Sequence, residues 1–275
     1  MEVTLSSWLL ITILSVSTLF WVVAIWKGLF SLPQGALASP SMSWISPFIA
    51  FLVYISIGGF IPRLVHRFCT NFSLPKGDIA LFLLATALCS LLVLVGFVRI
   101  HKESVQQKIW GGGQPLGALL RGFLYGLCTF PTFMLLVRLV HLIVDQFGVF
   151  PRGEQVAVTL LRHLRDMPLL FWITVVAIVT LIPLVEELLF RGFLQTFFVD
   201  ILGPRIGITL ASLFFALFHY SAAQKFANIE LLVGLFFVSY FIGIIYIRQK
   251  SLFAAIGFHA AFNAASLALF LSAVT

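Results

Sequence analysis

The sequence predicts an all-α membrane protein, a polytopic transmembrane helical bundle of about eight helices with its functional site in the C-terminal half. Apolar residues make up 61% of the 275 positions and charged residues only 10%, which is too few charges to cover a water-facing surface of this size. Mostly apolar runs near the roughly 20 residues that a transmembrane helix requires recur along the whole chain. These runs lack the alternation of polar and apolar residues that a transmembrane β-barrel needs, so helices are expected.

Eight hydrophobic segments are expected to form the membrane-spanning helices. They lie at residues 7–26, 46–61, 79–98, 117–144, 168–190, 206–220, 231–247 and 252–272. Residues 154–166 interleave apolar and basic side chains, which predicts an amphipathic helix in the membrane interface before the fifth segment. Residues 1–150 carry no recognisable chemistry and form the first of two predicted units, N-terminal transmembrane helices of unassigned role.

The net charge of +7 points to lipid and not to nucleic acid, because the basic residues lie in short loops at the ends of hydrophobic segments. We therefore expect a multi-pass protein of the cell (inner) membrane whose partners include anionic lipid headgroups. Glu2 precedes the first segment and Lys27 follows it, which favours an external N-terminus. The three cysteines are scattered and indicate packing residues, with no disulfide or metal spacing; they are Cys69, Cys89 and Cys128.

Glu186 and Glu187 lie inside a hydrophobic helix, since residues 167–185 before them are uncharged and Leu188-Leu189-Phe190 follows. An ionisable group at such depth costs about 2.5 kcal/mol or more, so an intramembrane pair indicates a functional site. A structural ion pair is the alternative, because Arg191 lies four residues beyond Glu187 on the same helix face. That alternative leaves Glu186, about 100° around the helix, without a partner on its own helix.

Two later segments add polar side chains. His219 ends the apolar run 213–218, and His259 and Asn263 share one helix face because they are four residues apart. A single buried histidine is more often a satisfied packing residue than a catalytic one. Three helices that each contribute polar groups favour a shared site, because mutual hydrogen bonding is the least costly way to bury them.

Helix geometry gives a test of whether these residues can meet. If the fifth segment ends near Gly192, Glu186 lies about 9 Å from that membrane face, and His259 enters from the same face to about 10 Å. His219 would lie about 20 Å deep if its helix began at Ile206, so it fits only if that helix begins later or tilts.

At these residues the sequence resembles the CPBP family, which includes type II CAAX prenyl proteases and bacterial bacteriocin-processing and immunity proteins. Its three motifs occur in order as Glu186-Glu187-Leu188-Leu189-Phe190-Arg191, Phe215-Ala216-Leu217-Phe218-His219 and His259-Ala260-Ala261-Phe262-Asn263. Each motif is short, and the strength of the signal comes from their joint occurrence. The resemblance implies that residues 151–275 form the protease core of an intramembrane endopeptidase.

The resemblance also implies a role for each residue. Glu186 and His219 would activate a water to attack the scissile carbonyl, and His259 and Asn263 would donate hydrogen bonds to the developing oxyanion. Glu187 and Arg191 would brace the site as a supporting pair. The expected substrate is a membrane-associated peptide or protein, of prenylated CAAX type in some relatives.

Three alternatives remain open at this stage. Glu186, His219 and His259 would suit a zinc ion with three protein ligands, but the paired histidines of an H-E-x-x-H helix are absent, so we favour a metal-free site without a cofactor. A proton-coupled transporter would use the same residues as a relay, although the segments show no internal symmetry. A non-catalytic membrane scaffold is the third alternative.

Overall fold

A computed structural model describes residues 5–32, 41–71, 78–146, 156–221 and 228–274. In these ranges the chain forms α-helices and one π-helix, and no strand. The elements are α1 (Leu5–Trp26), α2 (Ile45–Asn71), α3 (Asp78–Arg99), α4 (Glu103–Trp110), α5 (Pro115–Asp145), α6 (Val156–His163), α7 (Pro168–Val179), α8 (Leu181–Glu187), the π-helix (Leu188–Gln195), α9 (Thr196–Phe218), α10 (Asn228–Gln249) and α11 (Leu252–Val274). The predicted all-α architecture is confirmed.

Helices long and apolar enough to cross a membrane recur through the described ranges. They are Ala80–Arg99, Glu103–Asp145, Pro168–Phe218, Asn228–Gln249 and Leu252–Ser272, with shorter apolar helices at Thr12–Trp26 and Ile45–Ile61. The 51-residue stretch Pro168–Phe218 contains two of the predicted segments, because its backbone bends at Gly203. The protein is therefore a multi-pass integral membrane protein, and its orientation and cell-membrane location stay predictions.

The fifth predicted segment is not the single regular helix that the apolar run suggested. Thr180 has φ −119° and ψ −62°, which ends α7 and begins α8. Pro183 follows within one turn and has no backbone N–H to donate to the preceding turn, so the break falls where the helix is weakest. The chain then winds as a π-helix over Leu188–Gln195, a rare geometry that is common at functional sites.

The predicted end of this helix near Gly192 is also wrong. Helical backbone continues to Gly203, where φ of +79° requires glycine, and Pro204 then starts the return segment. Glu186 and His219 lie almost equally far from this bend, about 26 and 24 Å at the usual rise per residue. The longer helix removes the depth mismatch expected for His219.

The start of α11 is also buried. Leu252 and Ser251 are only 0% and 5% exposed, and the Ser251 hydroxyl donates to the Trp110 carbonyl at the end of α4. The first turn of α11 therefore packs beneath the end of α4, and His259, two turns further on, lies level with Glu186.

Glycines allow α5 and α11 to pack backbone to backbone while running in the same direction. A methyl group added to Gly122 would lie 1.9 Å from the Ala254 carbonyl oxygen, and one added to Gly257 would lie 2.1 Å from the Leu119 carbonyl oxygen. Small residues at such contacts are the usual means of close helix association in membranes. This contact holds the turn of α11 that carries His259.

Helices on both sides of residue 150 share one apolar core. Leu94, Val105 and Ile109 pack in the same cluster as Phe190 and Phe258. The two-unit division at residue 150 stays a prediction, because the packing neither requires nor contradicts it.

A polar cluster ties α4 to α9 at the end of the bundle near Gly203. The buried carboxylate of Asp200 accepts hydrogen bonds from the backbone N–H of Ser41, at 2.9 Å, and from the Ser41 hydroxyl, at 2.6 Å. Lys108 on α4 completes the cluster as an ion pair with Asp200. These contacts fix the segment that enters α2 against the C-terminal half of the chain.

The predicted amphipathic helix is present as α6 (Val156–His163), and its place in the membrane interface stays a prediction. Leu160 and Leu161 are buried while Arg162 is exposed, as expected of an amphipathic helix. Cys89 and Cys128 carry free thiols, and the side chain of Cys69 lies outside the described residues.

Gly122→Ala is expected to lower the free energy of unfolding by about 1–3 kcal/mol or more, because the added methyl overlaps backbone atoms of α11 that cannot rotate away. Thermal denaturation in detergent, followed by size-exclusion chromatography, measures the effect. Gly96→Ala is the matched control, since nothing lies within 4 Å of a methyl group there. Equal melting temperatures for the two variants would contradict the close contact.

Candidate active site

Glu186, His219 and His259 come together inside the bundle from α8, the end of α9 and α11. Glu186 Oε1 lies 3.8 Å from His219 Nε2, and Glu186 Oε2 lies 3.7 Å from His259 Nε2. The side chains are 16%, 30% and 8% exposed, so the carboxylate is shielded and still reachable. Both distances exceed a direct hydrogen bond and are short enough for one water molecule to touch both groups.

Glu187 points the other way, into a fully buried polar network. Its Oε1 accepts a hydrogen bond from Arg191 Nη1 at 3.0 Å and lies 2.7 Å from His259 Nδ1. Arg191 Nη2 donates to the carbonyl and hydroxyl oxygens of Ser239 on α10, at 2.9 and 2.8 Å. The expected supporting pair is therefore present, and it also orients the imidazole of His259.

The geometry of this network fixes which nitrogen of His259 faces the cavity. Because Nδ1 contacts the Glu187 carboxylate, Nε2 is left to point towards Glu186. A carboxylate at Nδ1 favours a proton on that nitrogen and fixes the orientation of the ring. Nε2 is therefore held facing Glu186 and the cavity.

His219 is oriented by the motif that precedes it. Its Nδ1 lies 2.8 Å from the Phe215 carbonyl, one turn earlier, which directs Nε2 towards Glu186. The Phe215 ring contacts both imidazoles, with centroid distances of 4.8 Å to His219 and 5.9 Å to His259. The Arg191 guanidinium lies 5.0 Å from the centre of the same ring.

Asn263 lines the same cavity but also has a structural contact. Its Nδ2 donates to the Ile178 carbonyl at 2.9 Å, in the last turn of α7 before the break at Thr180. A side-chain amide carries two N–H bonds, so one remains for another acceptor. Its predicted role as an oxyanion donor stays a prediction.

The cavity has a volume of about 490 Å³ and is mostly apolar. Its polar end holds Glu186, His219, His259 and Asn263, and the remainder is lined by aliphatic and aromatic side chains that include Leu160, Leu231 and Leu235. These three residues lie on α6 and near the start of α10, so the apolar part extends towards the end of the bundle that holds the N-terminus of α7.

The donor set of Glu186, His219 and His259 resembles that of a catalytic zinc. Among the described residues, however, no group of three His, Cys, Asp or Glu side chains is arranged to hold a metal ion. Metal independence stays a prediction.

Sequence reasoning missed Ser239, which anchors Arg191, and the Ile178 carbonyl, which binds Asn263. A serine in an apolar helix is common and carries no signal by itself. The contacts of a backbone carbonyl depend on the break at Thr180, which the apolar pattern does not reveal.

Comparison with known proteins gives one family. Residues 168–265 match the family described as type II CAAX prenyl endopeptidase, Rce1-like. No curated protein and no solved structure matches the chain. The matched region includes α7 to α10 and the part of α11 that carries His259 and Asn263.

Glu187→Gln is expected to destabilise the protein by about 3–5 kcal/mol, because it leaves the buried Arg191 guanidinium without a counter-charge. Unfolding monitored by thermal denaturation checks the loss. Asp145→Asn is the matched control, since that carboxylate is 37% exposed and its removal is expected to cost less than about 1 kcal/mol. If Glu187→Gln is as stable as Asp145→Asn, the Glu187–Arg191 ion pair does not make the expected contribution to stability.

Proposed function

We propose that this chain is an intramembrane endopeptidase that hydrolyses a peptide bond of a membrane-associated peptide or protein, because residues 168–265 match the Rce1-like family of type II CAAX prenyl endopeptidases. The observation that carries this proposal is the position of the Glu186 carboxylate, 3.8 and 3.7 Å from the Nε2 atoms of His219 and His259 in a shielded cavity. A prenylated CAAX-type C-terminus is the substrate that the family suggests.

Glu186 acts with His219 on the attacking water. A water between them donates one proton to the carboxylate and directs its lone pair at the scissile carbonyl carbon. The proton taken up by Glu186 is then delivered to the leaving amine nitrogen as the C–N bond breaks. General acid–base catalysis of this kind contributes about 10²–10⁴-fold in rate.

His259 and Asn263 stabilise the oxyanion that forms on the substrate carbonyl. Glu187 holds the His259 ring at Nδ1, so a proton carried on Nε2 faces the cavity and the substrate oxygen. Asn263 adds its second N–H from one turn further along α11. Fixed donors in a shielded site stabilise developing charge without reorganising solvent.

The cavity supports an apolar substrate segment beside the scissile bond. Apart from the polar end, its lining is aliphatic and aromatic. Such a lining suits a lipid chain or apolar side chains of a substrate and offers no partner to a charged substrate group. A peptide whose scissile bond adjoins an apolar group fits this division.

Glu186→Ala and His219→Ala are expected to abolish cleavage, and Asn263→Ala is expected to leave partial activity, lower by about a hundredfold because one oxyanion donor is lost. Purified variants in lipid vesicles are assayed with a fluorogenic farnesylated CAAX peptide. Equal, full activity in all three would refute the assignment.

The control for this series is Glu103→Ala, which removes an exposed carboxylate of α4 that accepts a hydrogen bond from Gln107. It is expected to retain full activity. If wild type cleaves an unmodified peptide as fast as the farnesylated one, the CAAX part of the proposal fails while the peptidase part stands.

Cleavage is expected to continue after dialysis against strong chelators, since Glu186 and the histidines act on water without a metal. The assay compares chelated protein with chelated protein to which zinc is returned. Complete loss of cleavage that zinc restores would contradict a metal-free mechanism.

A further inference from the structure

The least firmly held member of the site is His219. It is the residue that follows the last turn of α9, with φ −93° and ψ 5°, and its side chain is 30% exposed. Glu186 and His259 lie within helical turns that continue on both sides, whereas no helix continues beyond His219. A residue at a helix end lacks the hydrogen bonds of a following turn, so other contacts have to fix the backbone that carries this imidazole.

Those contacts come from Asn228, the first residue of α10. Its Oδ1 accepts a hydrogen bond from the Ser221 N–H at 3.0 Å, and its Nδ2 donates to the Ser221 carbonyl at 2.7 Å. Ser221 is two residues after His219, and Asn228 is only 3% exposed. The side-chain amide of Asn228 thus bonds both the N–H and the carbonyl of Ser221, in the way that a neighbouring β-strand bonds a residue.

The pairing does more than cap α10. A capping asparagine uses its side-chain oxygen on the N–H groups of its own helix, whereas here oxygen and nitrogen both bond Ser221. Tyr220 and Ser221 line the cavity beside His219, so the paired turn is part of the cavity wall.

The start of α10 is itself held in place from the opposite direction. Glu230 Oε1 lies 2.7 Å from Nδ1 of the buried His141 on α5, and His141 Nε2 lies 3.2 Å from Asp145. Asn228 therefore connects the Ser221 backbone to a helix, α10, that is anchored to α5. Helix α5 in turn packs against the turn of α11 that carries His259.

We propose that Asn228 is a positioning residue that sets the distance between His219 Nε2 and Glu186 by fixing the Ser221 backbone. The proposal rests on the proposed function, since it concerns the same water-activating pair. Asn228 is not among the groups placed at the reacting atoms, and its proposed effect is exerted through the turn that follows His219.

Asn228→Ala is expected to lower kcat for the farnesylated peptide by about tenfold or more, because small misplacement of a catalytic group is costly. KM is expected to stay within about twofold of wild type, since the apolar part of the cavity is unchanged. Asn228→Asp keeps the acceptor for the Ser221 N–H and loses the donor to the Ser221 carbonyl. The kcat of this variant is therefore expected to lie between those of wild type and Asn228→Ala.

Thr132→Val is the matched control, because it removes partly buried hydrogen bonds with Trp21 and Ser17 on α1 that lie away from the site. Wild-type kcat is expected for this variant. Wild-type kcat in Asn228→Ala, or a rise in KM with kcat unchanged, would overturn the proposal. If Asn228→Ala does not fold, Asn228→Asp decides the matter in the same way.

A second readout does not depend on catalysis. His219→Cys places a thiol at the site in a chain whose own three cysteines are replaced, and its alkylation rate reports how well the turn is held. Addition of Asn228→Ala is expected to raise that rate several-fold, while addition of Thr132→Val is expected to leave it unchanged. An unchanged rate with Asn228→Ala overturns the proposal, whereas failure of wild type to cleave any peptide overturns only the proposed function.

Discussion

The convergence of the helices that carry the site residues depends on the burial of one negative charge, that of Glu187. Its side chain is 0% exposed, and a single oxygen, Oε1, contacts both Arg191 and His259. An unpaired carboxylate at this depth would be prohibitively costly, so helix α8, the π-helix and α11 have to bring these two partners within reach. Ser239 then fixes Arg191 from α10. Satisfying this charge brings together the helices that also carry the catalytic candidates.

The adjacent glutamate has the opposite environment for a geometric reason. Glu186 lies one residue earlier, about 100° around the helix, and therefore faces the cavity while Glu187 faces the packed interior. The Glu187 carboxylate is held by Arg191 and His259 and has a structural role. The other has only imidazoles at 3.7 and 3.8 Å and remains available to a water molecule.

The sequence predicted what depends on composition and short spacing. The scarcity of charge predicted the helical membrane fold, the four-residue spacing predicted the Glu187–Arg191 pair, and the polar residues in three apolar segments predicted their convergence. It could not predict features that tertiary packing determines. The π-helix at Leu188–Gln195 leaves no mark in the apolar pattern. The helix end at Gly203-Pro204, by contrast, is a stop signal that the sequence carries, and the depth estimates, which assumed an end near Gly192, overlooked it.

Long-range contacts of ordinary residues were beyond sequence reasoning as well. Asn228 and Ser239 are polar residues of a kind that many membrane helices carry, and their partners are distant or belong to the backbone. The break at Thr180 positions the carbonyl that binds Asn263, and a threonine followed by a proline three residues later does not specify that contact.

The most direct test of the account compares the protein termini in membranes of cells that express wild type or Glu186→Gln at equal levels. The account predicts at least one membrane-associated protein whose new terminus appears only with wild type, since the variant keeps the fold and loses the base. Identical termini in both cell lines, with both proteins folded, would contradict a peptidase.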